Sequence, residues 1–259
     1  MFNDFDIAKL NKEYNEAKPY RHVVIDNFFQ EDVALQLSNE FPDYNDPNIW
    51  SVYKNPIENK KLTPHWDLFP KTTYNAFTAM NTPQFVEIIR GITGIPDLFA
   101  DYGMHGGGWH MHAKGGMLNM HKDYSIHPKL GMERRCNIII YMTPEWKSEW
   151  NGGLEFWSHD SEKNLPKECV TKIENNFNRA VIFDTASNSW HGLPHEIICP
   201  EGVYRKSLAI YYISPARVTA ESHDRAYFAP TAEQANDPEI LELIKRRSSS
   251  KTSGEVYRT

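Results

Sequence analysis

Arg135-Cys136-Asn137-Ile138-Ile139-Ile140-Tyr141-Met142 is an apolar, β-branched run with no glycine or proline inside it. Its composition reads as a buried strand. Working outward, three more short runs share its character: Leu154 to Ser158, Ala180 to Phe183 and Ser207 to Ile213. Turn residues punctuate them, including Asn151-Gly152-Gly153 and His191-Gly192-Leu193-Pro194. Successive short strands of this kind predict an antiparallel sandwich or barrel, not an alternating βαβ sheet. The fold class is therefore mainly β with flanking helices (α+β).

The flanks supply the helices. His22-Val23-Val24-Ile25-Asp26 reads as a strand, and Asn27 offers a cap for a helix carrying Val33, Leu37 and Phe41 on one face. Residues 43–70 are rich in Pro, Asn, Asp and aromatics and read as a long loop. A second helix is predicted from a Thr82 cap with Pro83 in first position, carrying Phe85, Ile88, Ile89 and Ile92 on one face. Asp237-Pro238 starts a terminal helix, and the polar stretch from Ser248 to Thr259 is expected to fray. One domain over residues 1–259 is expected: support from residues 1–100, a β core over 100–215 and a C-terminal extension over 216–259.

Composition narrows the functional classes. The formal net charge is −6, and the longest basic block is Lys245-Arg246-Arg247. That argues against a partner held through nucleic acid phosphates. No apolar run is long enough for a membrane span, and Met1-Phe2-Asn3-Asp4-Phe5-Asp6 is acidic where a secretory signal is basic. Cys136, Cys169 and Cys199 show no CxxC spacing, so reduced thiols and a cytoplasmic location are expected.

The chemistry centres on His121-Lys122-Asp123. On an extended chain His121 and Asp123 share a face and Lys122 points the opposite way. His-x-Asp alone is a weak signal. With His191 it makes two histidines and one carboxylate, a facial triad that leaves open positions on a metal for a bidentate co-substrate and dioxygen. Arg205 opens the strand that continues through Ser207-Leu208-Ala209-Ile210-Tyr211-Tyr212. An arginine aimed into an apolar barrel calls for an anion, and its fork suits a carboxylate. Ser207 shares its face and can donate a hydroxyl to the same group. The competing reading is an arginine at a strand start that is solvated or paired with a surface acid.

The stretch from His121 to Tyr212 resembles the double-stranded β-helix core of prolyl-4-hydroxylase-type oxygenases that use Fe(II) and 2-oxoglutarate. The similar pieces are Arg135 to Met142, Gly152-Gly153-Leu154-Glu155-Phe156-Trp157, Asn178-Arg179-Ala180-Val181-Ile182-Phe183-Asp184, His191, and Arg205 to Tyr212. Parts also resemble the oxygen-sensing prolyl hydroxylases. Gly106 to His110 and Gly115 to His121 are similar to an uncharacterised bacterial and phage branch. The resemblance covers about residues 100–213, with its motifs in the family's order, and implies a jelly-roll, cupin-like core. It implies that His121, Asp123 and His191 are the catalytic metal ligands, that Arg205 with Ser207 binds 2-oxoglutarate, and that ascorbate is a candidate reductant beside Fe(II), 2-oxoglutarate and O2. It aligns Met142, with Tyr141 one position off, to a tyrosine that contacts the co-substrate in several prolyl hydroxylases. Because Asp123 is present, halogenation is not expected.

The implied reaction is hydroxylation of a C–H bond in a prolyl residue, a free amino acid or another small metabolite. The rival is a non-catalytic, metal-binding, cupin-like β-barrel for a sugar or small anion, which has no need of Arg205 and Ser207 aimed at the metal. A nuclease or demethylase acting on nucleic acid fits the net charge poorly. His105, His110 and His112 invite a second metal site, but no carboxylate or cysteine accompanies them; lining of the active site is the simpler expectation. His127 is placed on a loop over the metal, and Arg134 and Arg135 offer either contacts to an anionic substrate or structural ion pairs. Substrate selection is expected in Asn45 to Pro70 and Tyr124 to Arg134.

Overall fold

The computed structural model describes residues 1–185, 188–221 and 225–257. In chain order the helices are α1 (Ile7–Glu16), α2 (Glu31–Asn39), α3 (Lys71–Met80), α4 (Pro83–Thr93) and α5 (Pro238–Arg247). The strands are β1 (His22–Ile25), β2 (Ser51–Asn55), β3 (Glu58–Thr63), β4 (Phe99–Ala100), β5 (Gly108–His112), β6 (Met117–Lys122) and β7 (Glu133–Tyr141). They continue as β8 (Leu154–Asp160), β9 (Leu165–Ile173), β10 (Ala180–Asp184), β11 (Trp190–Leu193), β12 (Arg205–Ser214) and β13 (Tyr227–Phe228).

All the pairings are antiparallel, in the order β1-β10-β7-β12-β5-β3-β6-β11-β8-β9. The sheet curls, and its two faces divide the apolar residues by the strand period. Cys136, Ile138, Ile140 and Met142, with Leu208, Ile210 and Tyr212, face outward against the N-terminal helices. Tyr141, Leu154, Phe156, Ile173, Val181, Phe183 and Leu193 face inward. This is the antiparallel barrel expected from the strand runs, in the double-stranded β-helix form that the resemblance implies.

The Thr82 side chain caps α4 by accepting from the Phe85 amide, Pro83 sits in its first turn, and Gly94 ends it in the left-handed region at φ 70°. Asp237 likewise caps α5, accepting from Glu239 and Ile240. The α2 cap is not Asn27: the helix begins after Gln30, and Asn27 takes a turn conformation at φ 53°. α1 carries only Leu10 and Tyr14 as buried residues, too narrow a stripe to stand out in a charged sequence. α3 buries Thr73, Ala76, Phe77 and Met80 at helical spacing.

Residues 43–70 are not a long loop. They contain the β2–β3 hairpin, whose turn is tied by the Asn55 side chain accepting from the amides of Ile57 and Glu58. Tertiary pairing holds this polar hairpin. β3 bonds to β5 through Thr63↔Trp109 and to β6 through Glu58↔Leu118, so it bridges the two halves of the sheet. Gly108 permits the approach: at φ 89°, a Cβ there would lie 2.1 Å from the Thr63 carbonyl oxygen.

The C-terminal extension docks on that hairpin, so the expected fraying is corrected over the described part of Ser248 to Thr259; residues 258–259 lie outside the described residues. Ile57, Phe228 and Ile244 form an apolar seam. Glu58, fully buried, accepts from the Arg247 Nε at 2.7 Å and from the Tyr257 hydroxyl. Burial alone would push the Glu58 carboxyl up, but Arg247, Lys60 and these hydrogen bonds outweigh it and hold it below the ordinary carboxylate range. Its stabilising contribution is therefore present above the unfolded carboxyl pKa and is lost as pH falls through the lower folded value. Replacing one partner of a buried pair strands the other at a cost of about 3 kcal/mol. Glu58→Gln is accordingly expected to lower hydrogen-exchange protection of Pro238–Arg247 at neutral pH while β7 and β12 keep theirs. Unchanged protection of that helix would show that the apolar seam alone holds it.

Candidate metal and co-substrate site

Pairing of β6 with β11 sets His121 directly opposite His191, with ring centroids 4.3 Å apart. Asp123 follows the end of β6 on the same face. One nitrogen from each histidine and one Asp123 oxygen all lie within 4.8 Å of one another. Lys122 points the opposite way, as alternation requires, and pairs with Glu221 at 3.1 Å.

The protonation states suit a metal. Nδ1 of His121 lies 3.0 Å from the Asn119 carbonyl and Nδ1 of His191 2.8 Å from that of Ser189. Each contact makes Nδ1 the donor and leaves Nε2 with its lone pair toward the third ligand. Burial is the main force lowering both imidazole pKa values, that of His121 to about 3, so both rings are neutral. Burial opposes ionisation of Asp123, but Arg134 and the two histidines outweigh it and its pKa falls. Two neutral imidazoles and an ionised carboxylate are the donor set a divalent ion requires. Asp123 Oδ2 is buried without a hydrogen bond, an orphan that a cation would satisfy.

Arg134 sits behind this carboxylate. Its Nη1 is 3.5 Å from Asp123 Oδ2, and its guanidinium lies between the rings of Tyr124 and Tyr211, at 3.5 and 3.3 Å from their centroids. Nη2 donates to the His105 carbonyl at 2.7 Å. Arg135 instead reaches Ser214 Oγ, at 3.4 Å. Alternation from Cys136, Ile138 and Ile140 would turn Arg134 outward; the register shift opposite Tyr212 and Ile213 brings it inside, and no sequence period marks that shift.

Deeper in the barrel Arg205 is fully enclosed. Its Nε donates to the Gly152 carbonyl at 2.7 Å and its Nη1 is 3.5 Å from Ser207 Oγ, but among the described residues no carboxylate pairs with it. Gly152 makes room: at φ 80°, a Cβ there would press within 3.1 Å of Arg205 Cδ. The Tyr141 ring centre is 5.0 Å from the guanidinium carbon, and its hydroxyl is buried beside that cation. The register Ser207↔Tyr141 puts Tyr141 on the inner face, whereas Met142 packs in the outer core. The position that the resemblance gave to Met142 is therefore filled by Tyr141.

These groups open into one cavity of about 280 Å³, lined on the metal side by His121, Asp123 and His191 and on the deep side by Arg205 and Ser207. His110 and His112 also line it; His112 faces Arg205 across the β5–β12 ladder, and neither of its ring nitrogens has a partner. They do not form a second metal cluster among the described residues, where His121, Asp123 and His191 alone meet that geometry. His105 lines the cavity and packs on Tyr124 and His127, and His127 is 3.5 Å from Asp101. Cys136, Cys169 and Cys199 are free thiols, and no described helix is long and apolar enough to cross a membrane.

Residues 107–213 match the family model for the 2OG-Fe(II) oxygenase superfamily. The match covers less than half of the chain, and the triad and the buried Arg205 both lie within it. No curated protein matches the chain in sequence. A Pseudomonas putida prolyl-4-hydroxylase has a similar fold, with TM-score 0.55 and 13% identity over 80% of this chain and 98% of that one. A Trichoplax adhaerens prolyl hydroxylase, solved with a hypoxia-inducible-factor peptide, aligns at TM-score 0.51 and 15% identity over 80% of this chain and 90% of that one. HygX from Streptomyces hygroscopicus, solved with nickel, 2-oxoglutarate and hygromycin B, aligns at TM-score 0.52 and 14% identity over 90% of this chain and 95% of that one. To hold a cation Asp123 must stay ionised, and Arg134 is the cation placed to keep it so. Arg134→Met is expected to destabilise the metal-free protein by about 3 kcal/mol, because it leaves Asp123 as an uncompensated buried charge. Adding Ni(II) is expected to restore part of that loss. Urea unfolding with and without metal checks both parts.

Proposed function

We propose that the protein is an Fe(II)- and 2-oxoglutarate-dependent hydroxylase of a small-molecule or peptide substrate, in which His121, Asp123 and His191 hold the metal and Arg205 with Ser207 holds the co-substrate's distal carboxylate. The observation that carries this reading is the buried Arg205, with no acidic partner among the described residues, in the same cavity as the triad. Enclosing a guanidinium without a counter-ion is unfavourable, so the site is built for an anion. A non-catalytic metal-binding barrel has no use for that arrangement.

Bound there, iron and 2-oxoglutarate together supply the oxidising chemistry that couples decarboxylation of the co-substrate to hydroxylation of a C–H bond. The protein's part is placement. The Nδ1 contacts to Asn119 and Ser189 fix both imidazoles, and Arg134 keeps Asp123 ionised. Tyr141 adds its hydroxyl to the anion site beside Arg205 and Ser207, and Leu154 and Leu193 make the wall there apolar and exclude water. Asp123 leaves no room for a halide in its place, which favours hydroxylation. Ascorbate belongs in the assay as a reductant for the iron.

The test is spectroscopic. Anaerobic protein with Fe(II) is expected to develop a weak visible charge-transfer band on addition of 2-oxoglutarate, and Arg205→Ala to need at least about tenfold more co-substrate for the same band, the loss of one charge-assisted pair. Bound iron with no band in the unaltered protein would sink the proposal.

A further inference from the structure

The substrate side of the cavity is cationic, although the chain as a whole carries a formal charge of −6. Lys60 on the β3 hairpin, Arg225 and Arg247 from the C-terminal extension, and Arg134 behind the metal site all line it, and Asp123 is the only acid among the described lining residues. Asp123 is committed to the metal, and 2-oxoglutarate would be committed to Arg205. Glu58 serves two cations at once: it takes a hydrogen bond from Arg247 at 2.7 Å and pairs with Lys60 at 3.6 Å. An ammonium carries three donors, so Lys60 keeps donor capacity toward the cavity. It lines the same cavity as His121, Asp123 and His191. Arg225 lines the cavity too, and its Nε is buried without a hydrogen-bond partner among the described residues.

Cations gathered in a poorly hydrated cleft raise the local concentration of anions and hold them by charge-assisted hydrogen bonds. We infer that the primary substrate carries a carboxylate or phosphate group, held by Lys60 and Arg225 at the mouth of the cavity. This rests on the oxygenase reading, since it assigns to the substrate what the metal and co-substrate leave unbound. The two cations come from the hairpin and the C-terminal extension, outside the stretch matched to the superfamily.

The test uses the protein loaded with Ni(II) and 2-oxoglutarate and probes of one shape but different charge: phenyl phosphate, benzoate, benzamide and benzylamine at matched ionic strength. Phenyl phosphate or benzoate is expected to raise the Tm by about 2 °C at concentrations where benzamide and benzylamine do nothing. The larger of the two anion responses separates a phosphorylated from a carboxylated substrate. Lys60→Gln and Arg225→Gln are each expected to weaken the anion response at least about tenfold in probe concentration, and Lys60→Glu to reverse the preference toward benzylamine. The charge-transfer band with Fe(II) and 2-oxoglutarate is expected to survive in all three variants, which shows that they fold and keep the co-substrate site. Equal responses to benzamide and the anions, no response to either anion while the band is intact, or an anion response untouched in the variants would each overturn the inference. An absent band in the unaltered protein would overturn the oxygenase reading instead, and charge-selective binding that persisted there would still support an anion site.

Discussion

The site depends on the antiparallel register that sets His121 opposite His191. Two histidines on adjacent strands can meet only where their side chains fall on the same face, and a slip of one residue would turn one of them outward. The same pairing fixes the carbonyls of Asn119 and Ser189 at hydrogen-bonding distance from the rings, so the ladder that builds the sheet also sets the tautomers. Asp123, just past the end of β6, is freed from pairing and can turn toward both. Everything else in the barrel is arranged around these polar groups in a largely apolar interior.

Such an interior must balance its charges locally. The triad of His121, Asp123 and His191 has Arg134, gripped between two tyrosine rings that fix its position and keep it from reaching solvent. Arg205 has neutral partners only, the Gly152 carbonyl and Ser207, which hold its fork in place without discharging it. One arginine thus answers a carboxylate that the chain provides, and the other has none among the described residues. That asymmetry separates the two arginines, which cannot be told apart by residue type.

The β core was legible because its strands are long apolar runs whose order and punctuation leave few alternatives. The triad and Arg205 were legible because their residue types sit on strands whose faces can be counted. The hairpin at Ser51–Thr63 was not, because Lys54, Asn55, Asn59, Lys60 and Lys61 give it no apolar alternation; it is a strand pair only because β5 and β6 offer it free edges. The helix over Lys71–Met80 carried a readable spacing in Thr73, Ala76, Phe77 and Met80 but lay at the end of a stretch dominated by loop-forming residues. Tyr141 and Met142 differ only by strand parity, and the pairing with Ser207 was needed to say which of them faces inward. Docking of Tyr257 on Glu58 spans 199 residues and leaves no local trace.

The bridge made by β3 has a consequence for how this scaffold can change. Its outer end carries Glu58, whose charge is answered from the C-terminal extension, while Lys60, two positions along, looks into the cavity. Residues 51–63 and 238–257 are therefore a matched pair, like two halves of a clasp. Transplanting the hairpin alone into a related barrel would import a buried carboxylate without its guanidinium, and transplanting the tail alone would do the reverse. A graft that reshapes the cavity mouth therefore has to carry both segments together, with the barrel between them left in place.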